Sequence, residues 1–475
     1  MHGSLRALRY VRALLLLTLI SLVAACGEVS PTTSTATHTQ APETTAPAAT
    51  ADTEPAVTIA PTEAPVETLP ATSVPDVSPT DSPAETPTDS PTETPVAPTD
   101  SPIETPVAAT VAPEPTTTER PDASIRPQFG IVTHLYYTDR ERVLQLAENA
   151  GFEWIRQQVP WKDTEKSDRT FGWDELDKIV DSVQGKNQKL LLSVAKAPDF
   201  LTGRTDDNGL PQDPGDFARF AGAIADRYQG RVHAIEVWNE QNLAVENGGR
   251  VVPEDAGRYV EMLKEAYTAI KAIDSSIIVV AGALSSTGVT EPDRAVDDIE
   301  YLTAMYAHNG GEIRDFFDVQ GFHPASAANP PDTKFPEDPG TAPGWNDHPT
   351  HYFRHIEDVR QVMVDAGLGD RKIWITELGW ATANNTPGYE YGNYVSLDQQ
   401  ADYLEGALFR TIFQYSEWVG AVFIWNLNFA VLWDEQGNPL HEQAAFGILN
   451  PDWSPRPAYT RVQGFINAIK SDEQP

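Results

Sequence analysis

Short apolar runs rich in β-branched residues alternate along the chain with longer stretches of helical periodicity, starting at residue 129. Apolar runs of this length between turn residues are typical of buried strands. Eight runs are predicted to be strands: residues 129–135, 154–159, 189–195, 233–239, 277–283, 318–324, 373–380 and 421–427.

Four stretches between these runs place apolar residues three and four positions apart, which predicts helices at residues 140–151, 214–230, 253–274 and 399–416. Strands that alternate with helices over about 350 residues predict a (β/α)8 TIM barrel of the α/β class. An open doubly wound sheet is the alternative. It usually has fewer strands, and no Gly-x-Gly-x-x-Gly follows the first strand here.

The longest loops follow the third, fifth and sixth predicted strands, at residues 196–213, 284–293 and 325–350. In a TIM barrel these loops leave the C-terminal ends of the strands, where active sites are built. The sequence therefore predicts a functional site on that face.

The first 26 residues have the pattern of an export signal. Three arginines precede an apolar run, residues 13–24, which is too short to span a bilayer. The run ends in Val-Ala-Ala-Cys, which resembles a bacterial lipobox with Cys26 as the lipidated residue. We therefore expect an exported lipoprotein, held on the extracellular face of a bacterial membrane by an N-terminal lipid anchor. An ordinary signal peptide is the alternative.

Residues 27–125 have the composition of a disordered stalk. They contain 19 of the 39 prolines and 16 acidic residues against one basic residue, and they have no aromatic residue. Such a segment cannot bury enough apolar surface to offset its ordering entropy. We expect an extended Thr/Ser/Pro-rich linker between the signal segment, residues 1–26, and a catalytic domain, residues 126–475.

Charge and cysteine content exclude several classes of protein. The net charge of −35 argues against nucleic-acid binding, which requires a basic surface. The single cysteine cannot form a disulfide framework or a cysteine-rich zinc site. We expect a monomer without a metal or cofactor.

Two glutamates follow apolar strands that should be buried. Glu240 closes the fourth strand and Glu377 closes the seventh. Strands four and seven lie roughly opposite each other in a barrel, so the two carboxylates can converge over its mouth. A facing pair of carboxylates is the minimum requirement for glycoside hydrolysis.

The motifs around these glutamates, IEVWNEQN (235–242) and WITELGW (374–380), resemble those of glycoside hydrolase clan A, the retaining TIM-barrel β-glycosidases. Families 39 and 5 are the most similar in these motifs. The resemblance covers all eight strands. It implies hydrolysis of oligo- or polysaccharides through a glycosyl-enzyme intermediate, with Glu240 as acid/base and Glu377 as nucleophile.

The resemblance also implies a set of substrate-binding residues near the strand ends. Arg156 would stand beside the nucleophile, Asn239 would bind the substrate 2-hydroxyl, and Trp425 would form a platform for the sugar, with a cis peptide bond after it. Further candidates for contact with substrate or carboxylates are His134, Trp161, His323 and Trp380.

The expected chemistry sets the charge of each glutamate. A general acid starts protonated, and the negative charge of Glu377 should raise the pKa of Glu240. A nucleophile starts ionised, and Arg156 should favour the ionised form of Glu377.

Other interpretations of these residues stay open at this stage. Each glutamate alone is compatible with a surface ion pair, and Arg156 with a structural pair to Glu153 or Asp163. A catalytically weak carbohydrate-binding lipoprotein, a stalk-borne structural protein and a transglycosylase are the alternative functions.

Overall fold

A computed structural model describes residues 125–203 and 209–471. The predicted signal segment with Cys26 and all but the last residue of the predicted linker lie outside the described residues. Within the described ranges, no helix combines the length and the apolar character needed to cross a membrane.

Eight parallel strands form a closed barrel in which each strand pairs with its sequence neighbours and β1 pairs with β8. The predicted (β/α)8 TIM barrel is confirmed, and the open doubly wound sheet is excluded. The strands are β1 Gln128–Val132, β2 Trp154–Pro160, β3 Lys189–Ala195, β4 Ala234–Val237, β5 Ile278–Ser285, β6 Val319–His323, β7 Lys372–Leu378 and β8 Val419–Ile424.

One long helix follows each strand and packs on the outside of the barrel. These are α1 Arg140–Asn149, α2 Asp174–Gln184, α3 Pro214–Arg227, α4 Asp255–Ile273, α5 Asp298–Ala307, α6 Ile356–Asp365, α7 Leu397–Gln414 and α8 Pro457–Ser471. The loops carry shorter helices at Trp161–Thr164, Asp199–Thr202, Phe429–Glu435 and Glu442–Phe446, and 3-10 turns at Ala244–Glu246, His308–Gly310, Glu312–Asp315, Pro349–His351, Phe353–His355 and Glu390–Tyr394.

Polar residues at the helix starts explain where several helices begin. Asp139 accepts a hydrogen bond from the backbone of Arg142 and caps α1. Ser396 and Gln399 cap α7 reciprocally, each side chain bonding the other's backbone N–H. These caps satisfy backbone donors that the first turn of a helix leaves without partners.

Alternate side chains along each strand divide between two environments. One set faces the helices and joins the main hydrophobic core. The other set fills the barrel interior with a second cluster drawn from seven strands: Val132, Trp154, Leu191, Ala234, Val280, Trp374, Ala421 and Phe423. The barrel is therefore filled with side chains and leaves no open channel in this layer.

The interior changes from apolar to polar toward the C-terminal ends of the strands. On β2, Trp154 is followed two positions later by Arg156, and on β4, Ala234 is followed by Glu236. Positions two residues apart point to the same side of a strand. The polar layer therefore lies directly above the apolar one, at the face where active sites form.

We predict that Trp154→Ala lowers the free energy of unfolding by about 3–5 kcal/mol, because it empties a packed site inside the barrel. The Trp154 ring is 1% exposed and contacts the Trp374 ring at a centroid distance of 5.1 Å. Urea denaturation measures the change. Val364→Ala, at a half-exposed position on α6, is the control and should change stability by less than about 1 kcal/mol. Equal effects of the two substitutions would contradict the packing described.

Candidate active site

Arg156 is the centre of the polar layer inside the barrel. Its guanidinium is fully buried and donates through Nε to Glu236 (2.8 Å) and through one terminal nitrogen to Glu377 (2.5 Å). The other terminal nitrogen donates to Ser193 (3.1 Å) and to Asn239 (2.9 Å). A buried guanidinium requires this number of acceptors, because every unpaired donor would carry a desolvation cost.

Arg156 does not form the structural ion pair with Glu153 or Asp163 that is the alternative to a place in the site. Glu153 pairs instead with Arg126 at 3.0 Å, and none of the bonds from Arg156 goes to Asp163. Arg156 lies beside Glu377, where the resemblance predicts it.

The chain turns sharply after β4 and brings the consecutive side chains of Asn239 and Glu240 into the barrel mouth. Trp238 and Glu240 both have left-handed backbones, with φ of 74° and 47°. Between them, Asn239 must direct its amide oxygen to Arg156, since a guanidinium can only donate. Its NH2 group is therefore the part that can donate to a substrate hydroxyl.

Near the end of β7, two consecutive side chains, Thr376 and Glu377, also reach the polar layer beside an irregularity of the strand pairing. The register with β8 shifts between Ile375 and Leu378. A shift of this kind can redirect a side chain. As a result both consecutive residues reach the polar layer: Thr376 donates to Glu236 at 2.8 Å, and Glu377 accepts from Arg156.

His323, the last residue of β6, bridges the two predicted catalytic carboxylates. Its Nδ1 lies 3.0 Å from an oxygen of Glu240 and 3.9 Å from an oxygen of Glu377. Its Nε2 lies 3.0 Å from the hydroxyl of Thr376. Both glutamate side chains remain 17% exposed, so the pair can be reached from solvent.

The pKa shifts of the two glutamates have the opposite directions to those expected from the sequence. Burial raises the pKa of Glu240, but the hydrogen bond and charge of His323 outweigh burial and leave that pKa below the ordinary value. Burial raises the pKa of Glu377, and the charges of His323 and Arg156 offset only part of the rise. The physical reason is that Arg156 divides its single charge between Glu377 and Glu236, whereas His323 makes its hydrogen bond to Glu240.

The imidazole of His323 has the complementary shift. Burial lowers its pKa, but the charges of Glu377 and Glu240 and the hydrogen bond to Glu240 outweigh burial and leave the pKa above the ordinary value. Both shifts favour a protonated His323 beside an ionised Glu240.

Trp161 and Trp380 are core residues, and this corrects their predicted contact with substrate. Both indoles are 0% exposed. Trp161 stacks on Phe220 and donates to Glu165, and Trp380 donates to the backbone carbonyl of Asn329. Neither ring has surface to offer a sugar. The sequence does not distinguish the two faces of a strand end, so it does not separate a tryptophan that contacts substrate from one that packs in the core.

Trp425 and His134 lie near the barrel mouth and are partly buried. The Trp425 ring packs against Phe429 at a centroid distance of 4.9 Å, and the Trp425–Asn426 peptide bond is cis, as the resemblance implies. Asn428 holds the backbone of His134 from both sides, accepting from its N–H and donating to its carbonyl at 2.9 Å each.

Two polar residues that support the catalytic pair are not among the residues predicted from the sequence. Glu236 and Thr376 are fully buried and lie inside otherwise apolar strands. A charged residue in the middle of a buried strand is itself a signal, because it requires an opposite charge nearby.

Glu246 is a further buried carboxyl group close to the site. Its Oε2 atom has no hydrogen-bond partner within the described ranges, and burial raises its pKa to about 6. Lys196 acts on it electrostatically in the opposite sense, whereas Glu240 and Glu377 raise its pKa further.

One group of side chains in the described part of the chain has the spacing of a metal site: Glu261, His308 and Glu312, on the outside of the barrel. Lys264 donates to Glu312 at 2.9 Å, and Asn309 donates to both glutamates. These contacts already provide the carboxylates with partners, so the group forms a surface ion-pair network.

We predict that His134→Gln reduces the loss of stability at acid pH. Burial lowers the pKa of His134 from 6.5 to about 4, so between these values the unfolded chain binds more protons than the folded protein. The free energy of unfolding therefore falls as pH drops through this range. Urea denaturation at pH 7 and pH 4.5 measures the loss. His351, with a pKa also lowered to about 4, supplies a second contribution of the same sign, so the variant keeps part of it. An unchanged loss in His134→Gln would contradict the assignment.

Comparison with known proteins supports the same class of enzyme. A family model described as cellulase (glycosyl hydrolase family 5) matches residues 118–318. A search among curated proteins gives no match.

Solved structures share the fold at low sequence identity. A family 39 glycoside hydrolase from the gut symbiont Bacteroides cellulosilyticus WH2 is 20% identical with a TM-score of 0.52; the alignment covers 73% of this chain and 64% of that one, which is under two thirds of its length. GH5_18 from Streptomyces cattleya is 15% identical, with a TM-score of 0.52 and coverage of 74% and 82%. The family-model match over residues 118–318 and the closed eight-stranded barrel both support a clan A glycoside hydrolase, a class of glycosidase that hydrolyses O-glycosyl compounds.

Proposed function

We propose that this glycosidase cleaves β-linked oligo- or polysaccharides with retention of configuration, with Glu377 as nucleophile and Glu240 as acid/base. The observation that carries the proposal is the contact of one atom, His323 Nδ1, with both carboxylates. Two carboxyl groups that converge on one point at the barrel mouth can act on a single glycosidic bond.

The separation of the carboxylates supports retention. Because both contacts share His323 Nδ1, the two glutamate oxygens lie no farther apart than the sum of 3.0 Å and 3.9 Å. Retaining enzymes have carboxyl groups about 5–5.5 Å apart, whereas inverting enzymes need about 6.5–9.5 Å to admit a water molecule. This upper limit admits the spacing of retaining enzymes and leaves room for only the shortest spacings of inverting ones.

In the first step, Glu377 attacks the anomeric carbon while Glu240 donates a proton to the departing oxygen, and a glycosyl-enzyme forms. In the second step, Glu240 acts as base and accepts a proton from water, which attacks the anomeric carbon and releases Glu377. Arg156, at 2.5 Å from Glu377, stabilises the carboxylate as it is regenerated.

Two neighbouring residues are suited to hold the sugar. The NH2 group of Asn239 is free of Arg156 and can donate to the 2-hydroxyl, an interaction that strengthens in the transition state. The partly buried Trp425 ring can pack on an apolar sugar face. An acceptor sugar in place of water would make the same site a transglycosylase.

We predict that Glu240→Gln lowers kcat on phenyl β-glycosides by about 10²–10⁴-fold, the usual contribution of general acid–base catalysis. Glu377→Gly should lose turnover altogether and regain it with azide, which can replace the missing carboxylate as nucleophile. A panel of aryl β-glycosides measures both effects. Glu312→Gln, on the outer surface of the barrel, is the control and should keep wild-type activity.

Proton NMR of the first-formed product determines the stereochemical course. The β-anomer should appear first and then mutarotate. An initial α-anomer would remove the nucleophile role from Glu377. Absence of turnover by folded protein on every glycoside would favour the carbohydrate-binding alternative.

We also propose that the enzyme is exported and anchored by lipid on Cys26. The support is the sequence pattern alone: a basic segment, a short apolar run and a cysteine in lipobox position. The acidic, proline-rich residues 27–125 would then act as the spacer between the membrane and the barrel.

We predict that the wild-type protein takes up an alkyne-labelled fatty acid when a bacterial host expresses the full chain. The labelled protein should sediment with the membrane fraction. Cys26→Ser should lose the label and appear in the soluble fraction, because a thiol is required for the lipid bond. Equal labelling of both proteins would contradict the anchor.

A further inference from the structure

A continuous chain of hydrogen bonds runs from the barrel interior to the acid/base. Glu236 accepts from Thr376 at 2.8 Å, Thr376 lies 3.0 Å from His323 Nε2, and His323 Nδ1 lies 3.0 Å from Glu240. Glu236 and Thr376 are 0% exposed, so within the described ranges solvent does not reach these groups.

The direction of each hydrogen bond follows from which groups can donate. Glu236 is paired with Arg156 through one oxygen, and as a carboxylate its other oxygen only accepts. Thr376 therefore gives its single hydrogen to Glu236 and has only lone pairs for His323. Nε2 of His323 must carry a hydrogen, and Nδ1 is the nitrogen that can gain or lose a proton.

We propose that Glu236 is a positioning residue that acts through Thr376 to hold His323 in its Nε2–H form, so that Nδ1 stores the proton that Glu240 gives to the leaving group. The proposal rests on the proposed role of Glu240 as acid/base and assigns a role to two residues outside the catalytic pair.

The proton balance closes over one catalytic cycle. In the proposed resting state the proton is on Nδ1 of His323 and Glu240 is a carboxylate. Transfer along the 3.0 Å contact gives neutral His323, still with hydrogen on Nε2, and a carboxylic acid on Glu240. Glu240 then protonates the departing oxygen. The water of the second step returns one proton to Glu240, and the pair shares it again.

Charged groups on several neighbouring elements act on this pair. Glu377 and Glu240 favour the protonated imidazole, and Arg156 opposes it. Hydrogen bonds from His323 and Ser285 stabilise the carboxylate of Glu240. Within the described ranges, Glu246 after β4 and Tyr389 after β7 also interact electrostatically with the two glutamates, and Glu236 on β4 shares Arg156 with Glu377.

Thr376→Val breaks the hydrogen-bonded link from Glu236 to His323 without removing the ion pair between Glu236 and Arg156. Valine keeps the shape of threonine but removes the hydroxyl, so it disconnects His323 while the Arg156–Glu236 and Arg156–Glu377 pairs remain. Thr376→Ser keeps the hydroxyl and is the matched control. Glu236→Gln would disturb both Arg156 and Thr376, and so would not distinguish the two links.

Nitrogen-15 NMR of the histidine side chains tests the tautomer without any need for turnover. The His323 signals are assigned by their loss in His323→Gln. At a pH where His323 is neutral, the wild type and Thr376→Ser should show hydrogen on Nε2. Thr376→Val should shift toward the Nδ1–H form, because nothing then holds Nε2–H. A wild type with Nδ1–H, or an unchanged tautomer in Thr376→Val, overturns the proposal, and the wild-type measurement decides even if the variant does not fold.

Kinetics on two aryl β-glycosides test the consequence for catalysis. A phenyl leaving group needs the acid proton, whereas a 2,4-dinitrophenyl group leaves without it. Thr376→Val should lose about tenfold more kcat/KM on the phenyl substrate than on the dinitrophenyl substrate. Its basic pH limb should move to lower pH, because the protonated imidazole loses an acceptor. Thr376→Ser should stay near wild type in both respects.

The two measurements distinguish the possible failures. Equal losses on both substrates, with the tautomer as described, would show a structural role for Thr376 and overturn the proposal. If no aryl glycoside is hydrolysed, the proposed function fails, while the tautomer measurement still decides the hydrogen-bond chain.

Discussion

The buried ion pair between Arg156 and Glu236 is the interaction on which the rest of the site depends. Both side chains are fully buried inside the barrel, where an unpaired charge would cost several kcal/mol. After they pair, the terminal nitrogens of Arg156 still need acceptors and the second carboxylate oxygen of Glu236 still needs a donor. The groups that satisfy them are the ones that carry the chemistry or position it: Ser193, Thr376, Asn239 and Glu377.

The position of this pair depends on the layers of the barrel. Below it, Trp154 and Trp374 fill the interior with packed rings, so water and mobile side chains are kept away from the charges. Above it, Glu240 and Glu377 keep limited contact with solvent. Strands carry Arg156, Glu236, His323 and Glu377, and this fixes these side chains more firmly than loops would.

The protonation of the catalytic pair shows where reasoning from residue types stops. The sequence supplied an arginine for Glu377 and a like charge for Glu240, and the expected pKa shifts followed from these two neighbours. In the folded site Arg156 also serves Glu236, and His323 bonds Glu240. Arg156 lies on β2 and His323 on β6, so their effect on the pKa of each glutamate depends on three-dimensional distances that no local motif contains.

The sequence by itself determined the barrel, because the eight apolar strand runs and the helical stretches between them are local properties of the chain. It also located Glu240, Glu377 and His323 at strand ends and placed Arg156 on the second strand. The tertiary structure alone decided which side of a strand end each residue faces. It buried Trp161 and Trp380, and it brought the consecutive residues Thr376 and Glu377 into one site beside a register shift on β7. Such choices arise from packing between distant segments, where burial of a charge or a ring depends on every neighbour at once.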